Sequence, residues 1–316
     1  MALLRKASKK QAKIKLALSA PTGFGKTYSA LLLAKGLVGS WDKIAVIDTE
    51  NESADLYSDL GGYFVVPMKP PYTVDSFKQA VKSCVYEGIE CVIVDSTYHY
   101  WHGKGGLLEY NSNLGGNSFA NWAKTNPLYS DFLDTILQTN AHFICTSRKK
   151  QAYEIVENNG KKSVEKKGME DQIRDGFDYE MTIAFNIVSA NHLVEVSKDR
   201  TRLFTDKQSF VITEKTGEEI KAWCETGVDE TAAITDAVTK LASCNTVDEL
   251  SALKIELPSF VIQSPQFIAT AKERYKVIIA QKKTDAPAQT QNGLTDEEKA
   301  EIAKEEADLF SKSNKK

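Results

Sequence analysis

Short runs of consecutive apolar residues punctuate the first half of the chain: KLALS at 15–19, KIAVID at 43–48, YFVVP at 63–67, ECVIVD at 90–95 and AHFICT at 141–146. Runs this short and this continuously apolar read as strands buried on both faces. Between them, TYSALLLAKGLVG predicts a helix ending near Gly36 or Gly39, and residues 74–86 carry Val74, Phe77, Ala80, Val81 and Cys84 at helical spacing. Residues 122–139 form a third helical pattern. Strands alternating with helices predict an α/β fold whose mainly parallel central sheet is flanked by helices. Residues 101–116 are glycine-rich and read as irregular; residues 149–176 are charged and poorly periodic. Residues 177–185 and 191–196 read as late strands paired as a hairpin.

The pattern changes after about residue 205. Residues 230–281 are mostly helical, broken between Pro258 and Pro265, and 284–293 (TDAPAQTQNG) has linker composition. Four segments follow: a basic lead-in at 1–13, a core at 14–225, a small helical region at 226–283, and a linker with acidic tail at 284–316. In the tail, residues 294–310 hold seven acids against two lysines, with Thr295 and Glu298 spaced as a capping box. It reads either as a solvated segment or as a partner-docking helix.

Composition narrows the class. With 42% hydrophobic and 26% charged residues and a net charge of −3, this is an ordinary globular composition, and nucleic-acid binding would need a local basic patch. Five cysteines (Cys84, Cys91, Cys145, Cys224, Cys244) include no CxxC pair, so a reducing cytoplasm is expected, with neither disulfides nor a zinc site. No run of about 18 apolar residues occurs, so no membrane span is expected.

Three motifs carry chemistry. APTGFGKT, Ala20 to Thr27, has Walker A spacing with alanine at the first glycine, between a strand and a helix. Its backbone N–H groups would cradle phosphates, Lys26 would reach the β and γ phosphates, and the Thr27 hydroxyl would bind Mg²⁺. ATP with Mg²⁺ is the expected ligand pair, contacted by Pro21, Thr22, Gly23, Phe24, Gly25, Lys26, Thr27 and Tyr28. CVIVDS matches Walker B and makes Asp95 the second metal ligand. VIDTE, Val46 to Glu50, ends the strand after the P-loop helix, and a carboxylate there can activate water; Glu50 is the candidate and Glu52 the weaker rival.

VIDTENESADLY together with CVIVDSTYHYW resembles the RecA-like recombinase fold. With TSRKKQAY and SKDRTRLF, residues 14–225 are similar to phage-encoded RecA-like ATPases linked to single-strand annealing. The resemblance implies a RecA-like P-loop core, ATPase activity, Glu50 as the catalytic glutamate and Tyr57 stacked on adenine. It also implies a γ-phosphate sensor among Thr146, Ser147 and Arg148, where the usual glutamine is missing. Lys198 and Arg200 would reach a neighbouring subunit's nucleotide, or else form a solvent-exposed turn.

From Arg148 to Lys167, seven cations (Arg148, Lys149, Lys150, Lys161, Lys162, Lys166, Lys167) face three acids, a local charge of +4. The resemblance places DNA-binding loops there, with Tyr153 available for stacking; a solvated loop is the alternative. Tyr98 to His102 form an aromatic run that reads either as base-stacking or as core, and the histidine pair His99 and His102 lacks further metal ligands. The combined expectation is a DNA-stimulated ATPase that forms a homo-oligomeric filament or ring on single-stranded DNA. It would assist recombination, annealing or repair in a bacterial host's cytoplasm and recruit a single-strand binding protein through its tail. A nucleotide-gated assembly module with slow hydrolysis and a ring translocase are the alternatives.

Overall fold

The computed structural model describes residues 11–158 and 161–284. Two compact units result: Ala12–Cys224, and a second whose described part is Gln11 with residues 225–284. The basic segment before Gln11, the linker and the acidic tail with its Thr295–Glu298 box lie outside the described residues.

In the first unit β1 (Lys15–Ala20) leads into α1 (Lys26–Val38), then β2 (Ile44–Asp48), β3 (Phe64–Pro67), α2 (Val74–Tyr86) and β4 (Cys91–Asp95). Next come α3 (Tyr98–His102), α4 (Leu107–Asn113), α5 (Ser118–Gln138), β5 (His142–Asn158), β6 (Lys161–Asp171) and α6 (Phe177–Glu180). β7 (Ile183–Ile187), β8 (Leu193–Asp199), β9 (Phe210–Val211) and α7 (Glu214–Glu225) complete it. The sheet order is β3-β2-β4-β5-β1-β7-β8-β9. Pairing is parallel from β3 to β7, and β8 and β9 add antiparallel. This is the mainly parallel, helix-flanked sheet expected.

β1, β2 and β4 are buried along their whole lengths, as covering both faces requires. Alternate residues serve two cores. Leu16, Leu18, Val46 and Ile93 face α1, whereas Ala17, Ile47, Val92 and Val94 face α2, α3 and α5. α1 approaches α7 closely enough that a Cβ on Gly36 would sit 2.0 Å from the Glu214 carbonyl oxygen, so glycine is sterically required there.

Three readings are corrected. Residues 101–116 are not irregular: α3 and α4 are short helices, and Gly103, Gly105 and Gly106 are the breakers between them. Residues 177–185 are not one strand; α6 precedes β7. The charged stretch from residue 149 is no loop but an antiparallel arm, in which β5 runs past the sheet and pairs with β6 from Lys149↔Asp171 to Asn158↔Lys161. Side chains at 153–158 and 161–167, including Tyr153, Lys161, Lys162, Lys166 and Lys167, lie outside the described residues.

The second unit contains α8 (Glu230–Ser243), α9 (Val247–Glu256), α10 (Ser259–Ile262) and α11 (Pro265–Thr284) around Leu241, Leu250, Val261, Phe267 and Tyr275. Thr246 and Glu249 form a capping box on α9. All five cysteines are buried free thiols. Among the described residues no helix is long and apolar enough to cross a membrane.

One buried imidazole gives the first unit an acid limit. His142 Nδ1 accepts the Ile14 N–H at 3.1 Å, which requires an unprotonated ring nitrogen. Burial first, and the charges of Lys13, Lys15 and Lys221 after it, push its pKa from 6.5 down to about 3. Between these values the unfolded chain binds a proton that the folded chain does not. The stabilisation is therefore complete above 6.5 and lost as pH falls towards 3. Urea midpoints at pH 7 and pH 5 should drop in the native protein and drop less in His142→Asn, which keeps an acceptor without the titration; equal drops would refute the assignment.

Candidate nucleotide site

The carboxyl ends of β1, β2, β4 and β5 converge on one edge of the sheet. After β1 the chain turns through Gly23 (φ 85°) and Gly25 (φ 82°), and α1 starts at Lys26. Left-handed glycines let successive N–H groups turn to a common concave side at a helix N-terminus, which suits an anion. Lys26 Nζ donates to the carbonyls of Ala20 and Pro21, both at 3.1 Å, within the loop itself. Burial holds its pKa below the ordinary lysine value despite the carboxylates of Asp95 and Glu50.

Thr27 and Asp95 meet. The Thr27 hydroxyl donates to Asp95 Oδ2 at 2.5 Å across 68 residues of sequence, and Thr146 donates to Oδ1 at 2.6 Å. Burial raises the pKa of Asp95 against the lowering effect of these two bonds. A hydroxyl and a carboxylate are hard oxygen donors suited to Mg²⁺, which takes few protein ligands and completes its shell with water and phosphate oxygens. Among the described residues no group of three His, Cys, Asp or Glu is placed to hold a metal by itself.

Glu50 lies on the neighbouring strand end. The Asp48 carboxylate pins its loop by accepting N–H bonds from Glu50 (2.6 Å) and Ala54 (2.8 Å), while Asn51 and Glu52 take left-handed conformations. Glu52 is exposed, whereas Glu50 is half-buried. Ser96 Oγ donates to Glu50 Oε1 at 2.6 Å, Arg148 Nε donates to the same oxygen at 3.0 Å, and Arg148 NH2 donates to Oε2. Burial alone would raise the Glu50 pKa, but Arg148 and Ser96 outweigh it and hold the carboxyl below its usual range. His99 stands 4.0 Å from Glu50 with Nδ1 2.8 Å from the Thr49 hydroxyl. The guanidinium of Arg148 lies 4.7 Å from the Tyr98 ring centroid.

The other sequence candidates fall in different places. Tyr28 and Tyr57 pack against each other, centroids 5.9 Å apart, beside the start of α1. Tyr100 and Trp101 are core residues. Arg148, Lys149 and Lys150 are not free cations: Arg148 holds Glu50, Lys149 pairs with Asp171 at 3.3 Å and Lys150 with Glu170 at 3.1 Å. Lys198 Nζ donates to the carbonyls of Asp178 (3.2 Å) and Tyr179, and Arg200 donates to Tyr179 O at 3.2 Å. The Arg200 N–H bonds Thr182, whose N–H bonds Lys15 at the start of β1. Arg200 is thereby level with the wrong end of that strand, about 16 Å of extended chain from the P-loop.

A family model described as an AAA domain matches residues 12–222. The chain belongs to the AAA-domain family. Its AAA domain is an ATPase-type nucleotide-binding domain. No curated protein matches. Among solved structures the chain is similar to a prototypical ATPase from the type III secretion system of pathogenic bacteria. The identity is 12%, with 96% of this chain and 87% of that one covered and a TM-score of 0.35, too low for any argument to rest on it.

Two residues at this edge escaped the motif search: Ser96, which donates to Glu50, and His192. The His192 Nδ1 lies 2.9 Å from the Phe24 carbonyl oxygen, inside the P-loop. A peptide's carbonyl and its N–H point in opposite directions, so holding Phe24 O aside turns the Gly25 N–H towards the phosphate cradle. Removing it with His192→Ala should weaken nucleotide binding by about three- to tenfold, with His192→Gln restoring much of the loss. Titration with a fluorescent ATP analogue checks this; unchanged affinity in the alanine variant refutes it.

Proposed function

We propose that this AAA-domain protein is a Mg²⁺-dependent ATPase that assembles as a homo-oligomer on single-stranded DNA and assists recombination, annealing or repair. In this reading Lys26 and Thr27 hold the phosphates and Mg²⁺, Asp95 completes the metal shell, and Glu50 takes the proton of the attacking water. The observation that carries it is the course of β5. The same strand gives Thr146 to Asp95 and Arg148 to Glu50 and then continues unbroken into the β5–β6 arm. Lys161, Lys162, Lys166 and Lys167 are on β6 of that arm. Lysines on such an arm neutralise phosphates without reading sequence. Exposed pairs such as Lys150–Glu170 are worth only about 0–1 kcal/mol and exchange readily for a phosphate.

Lys198 and Arg200 serve, in this reading, a neighbouring chain's nucleotide, since neither reaches its own P-loop. A cation delivered in trans to developing γ-phosphate charge is a strong accelerator, about 10³–10⁵ in rate where it has been measured. The acidic tail would then recruit a single-strand binding protein. One observation favours a second reading, a nucleotide-gated assembly with slow turnover: the carboxylate meant to activate water is engaged by Arg148.

ATP turnover with and without oligo(dT) across a salt series separates the two. Strong stimulation that fades with salt supports the first; flat, slow turnover supports the second. Lys26→Ala should abolish ATP binding. Glu50→Gln should bind ATP normally yet lose about 10²-fold or more in turnover, and normal turnover in that variant would remove Glu50 from the mechanism. The double variant Lys198→Ala, Arg200→Ala should bind ATP with unchanged affinity and turn over slowly. Adding Lys26→Ala subunits should restore part of the rate, because they offer intact fingers to the double variant's intact P-loops; no recovery at any mixing ratio would count against shared sites.

A further inference from the structure

The aromatic run of α3 divides by helical phase. Tyr100 and Trp101 face the core: the Tyr100 ring centroid lies 5.0 Å from that of Phe77 on α2, and the Trp101 centroid 6.0 Å from that of Trp122 on α5. Tyr98 and His102, four residues apart, share another face, and their rings stack with centroids 5.1 Å apart and 25° between the planes. Tyr98 is itself held. The Arg148 guanidinium lies 4.7 Å from its centroid, and the His99 ring meets it edge-on at 5.1 Å. The chain then turns sharply away. A Cβ on Gly103 would sit 2.6 Å from the His99 carbonyl oxygen, and one on Gly106 2.7 Å from the same atom, approaches that only glycine allows.

This packing leaves an imidazole at the outer end of a fixed stack. His102 is exposed although it lies on Tyr98, and among the described residues nothing hydrogen-bonds its ring nitrogens. Burial first, and the charge of Lys150 after it, hold its pKa below the ordinary histidine value, so at pH 7 the ring is neutral. Lys150 is exposed, on the second rung of the β5–β6 arm, where its partner is Glu170. A flat uncharged ring backed by another, with a surface cation close by, suits a nucleobase and the phosphate attached to it.

We propose that His102 is a base-stacking platform: one unpaired base of a single-stranded nucleic acid lies on its free face, and Lys150 takes the adjoining phosphate. Bases inside a duplex already stack on both faces, so the platform favours single strands. Tyr98 fixes the plane of the imidazole before the base arrives, which lowers the ordering cost of binding. This proposal rests on the single-stranded DNA reading and adds to it a contact with a base, where the lysines of the arm meet phosphates alone.

The test is equilibrium binding of the full-length protein and its His102→Ala and His102→Phe variants to two fluorescent strands of equal length at one salt concentration. One strand is oligo(dT); the other is an abasic oligonucleotide, which keeps the phosphates and lacks the bases. His102→Ala should bind oligo(dT) about five- to tenfold more weakly than the native protein, and the abasic strand within about twofold of it. His102→Phe should hold oligo(dT) as tightly as the native protein, because a ring face is all the platform needs. ATP affinity within about twofold of native in both variants reports an intact fold. Native-like binding of oligo(dT) by His102→Ala, an equal loss on both strands, or a His102→Phe variant as weak as His102→Ala would overturn the platform and leave single-stranded DNA binding in place. Failure of the underlying reading looks different: the native protein would then bind neither strand, and the platform would fall with it.

Discussion

The 2.5 Å bond between the Thr27 hydroxyl and the Asp95 carboxylate joins the P-loop helix to the fourth strand, and the site is organised around it. Asp95 is almost wholly buried, and an unpaired carboxylate there would cost several kcal/mol, so its oxygens need fixed partners. The sheet order supplies them. β5 lies between β1 and β4, which brings Thr146 alongside one Asp95 oxygen while Thr27, at the head of α1, reaches the other. A topology with β1 directly beside β4 would leave no strand to provide Thr146. The strand order is therefore part of the candidate site's chemistry as much as of the fold.

Two carboxylates on one sheet edge have been given opposite environments. Asp95 receives neutral hydroxyl donors in a buried setting and is raised; Glu50 receives a guanidinium and is lowered. Groups separated in this way are suited to different roles: the buried Asp95 to one that a cation would compensate, and Glu50 to one set by its cationic partner. The loop that carries Glu50 is not free to adjust. Asp48 spends both oxygens on its backbone, and the Thr49 hydroxyl accepts the Ser96 N–H at 2.9 Å, fastening the second strand end to the fourth. Of the partners around Glu50, Arg148 is the one joined in sequence to an element that projects from the sheet.

The buried strands were legible because both their faces are covered, which forces continuous apolar runs such as KLALS and CVIVD. The P-loop was legible because its glycines answer a backbone requirement. The β5–β6 arm was not: charged residues interrupt any period-two apolar signal in KKQAYEIVEN and KKSVEKKGMED, so both look like charged loop. Glycines between α3 and α4 misled in another way, since they mark the break between two helices and say nothing against either. Arg148 was picked out by position at the end of a strand, but its partner lies 98 residues away on another strand end. No local pattern encodes such a meeting; only the parallel register does.

Lys198 and Arg200 show how that register limits mechanism. β8 runs antiparallel to β7, so its last residues return to the amino ends of the parallel strands, where Asp199 pairs with Ile183 and Ile183 with Leu16. The P-loop leaves from the other end of β1. The two cations are held by the α6 carbonyls of Asp178 and Tyr179, acceptors that carry no net charge. Cations at that end of a sheet strand cannot serve the phosphate site at its opposite end within one chain. If they act on a nucleotide, that nucleotide belongs to another molecule, and catalysis then becomes a property of the assembly.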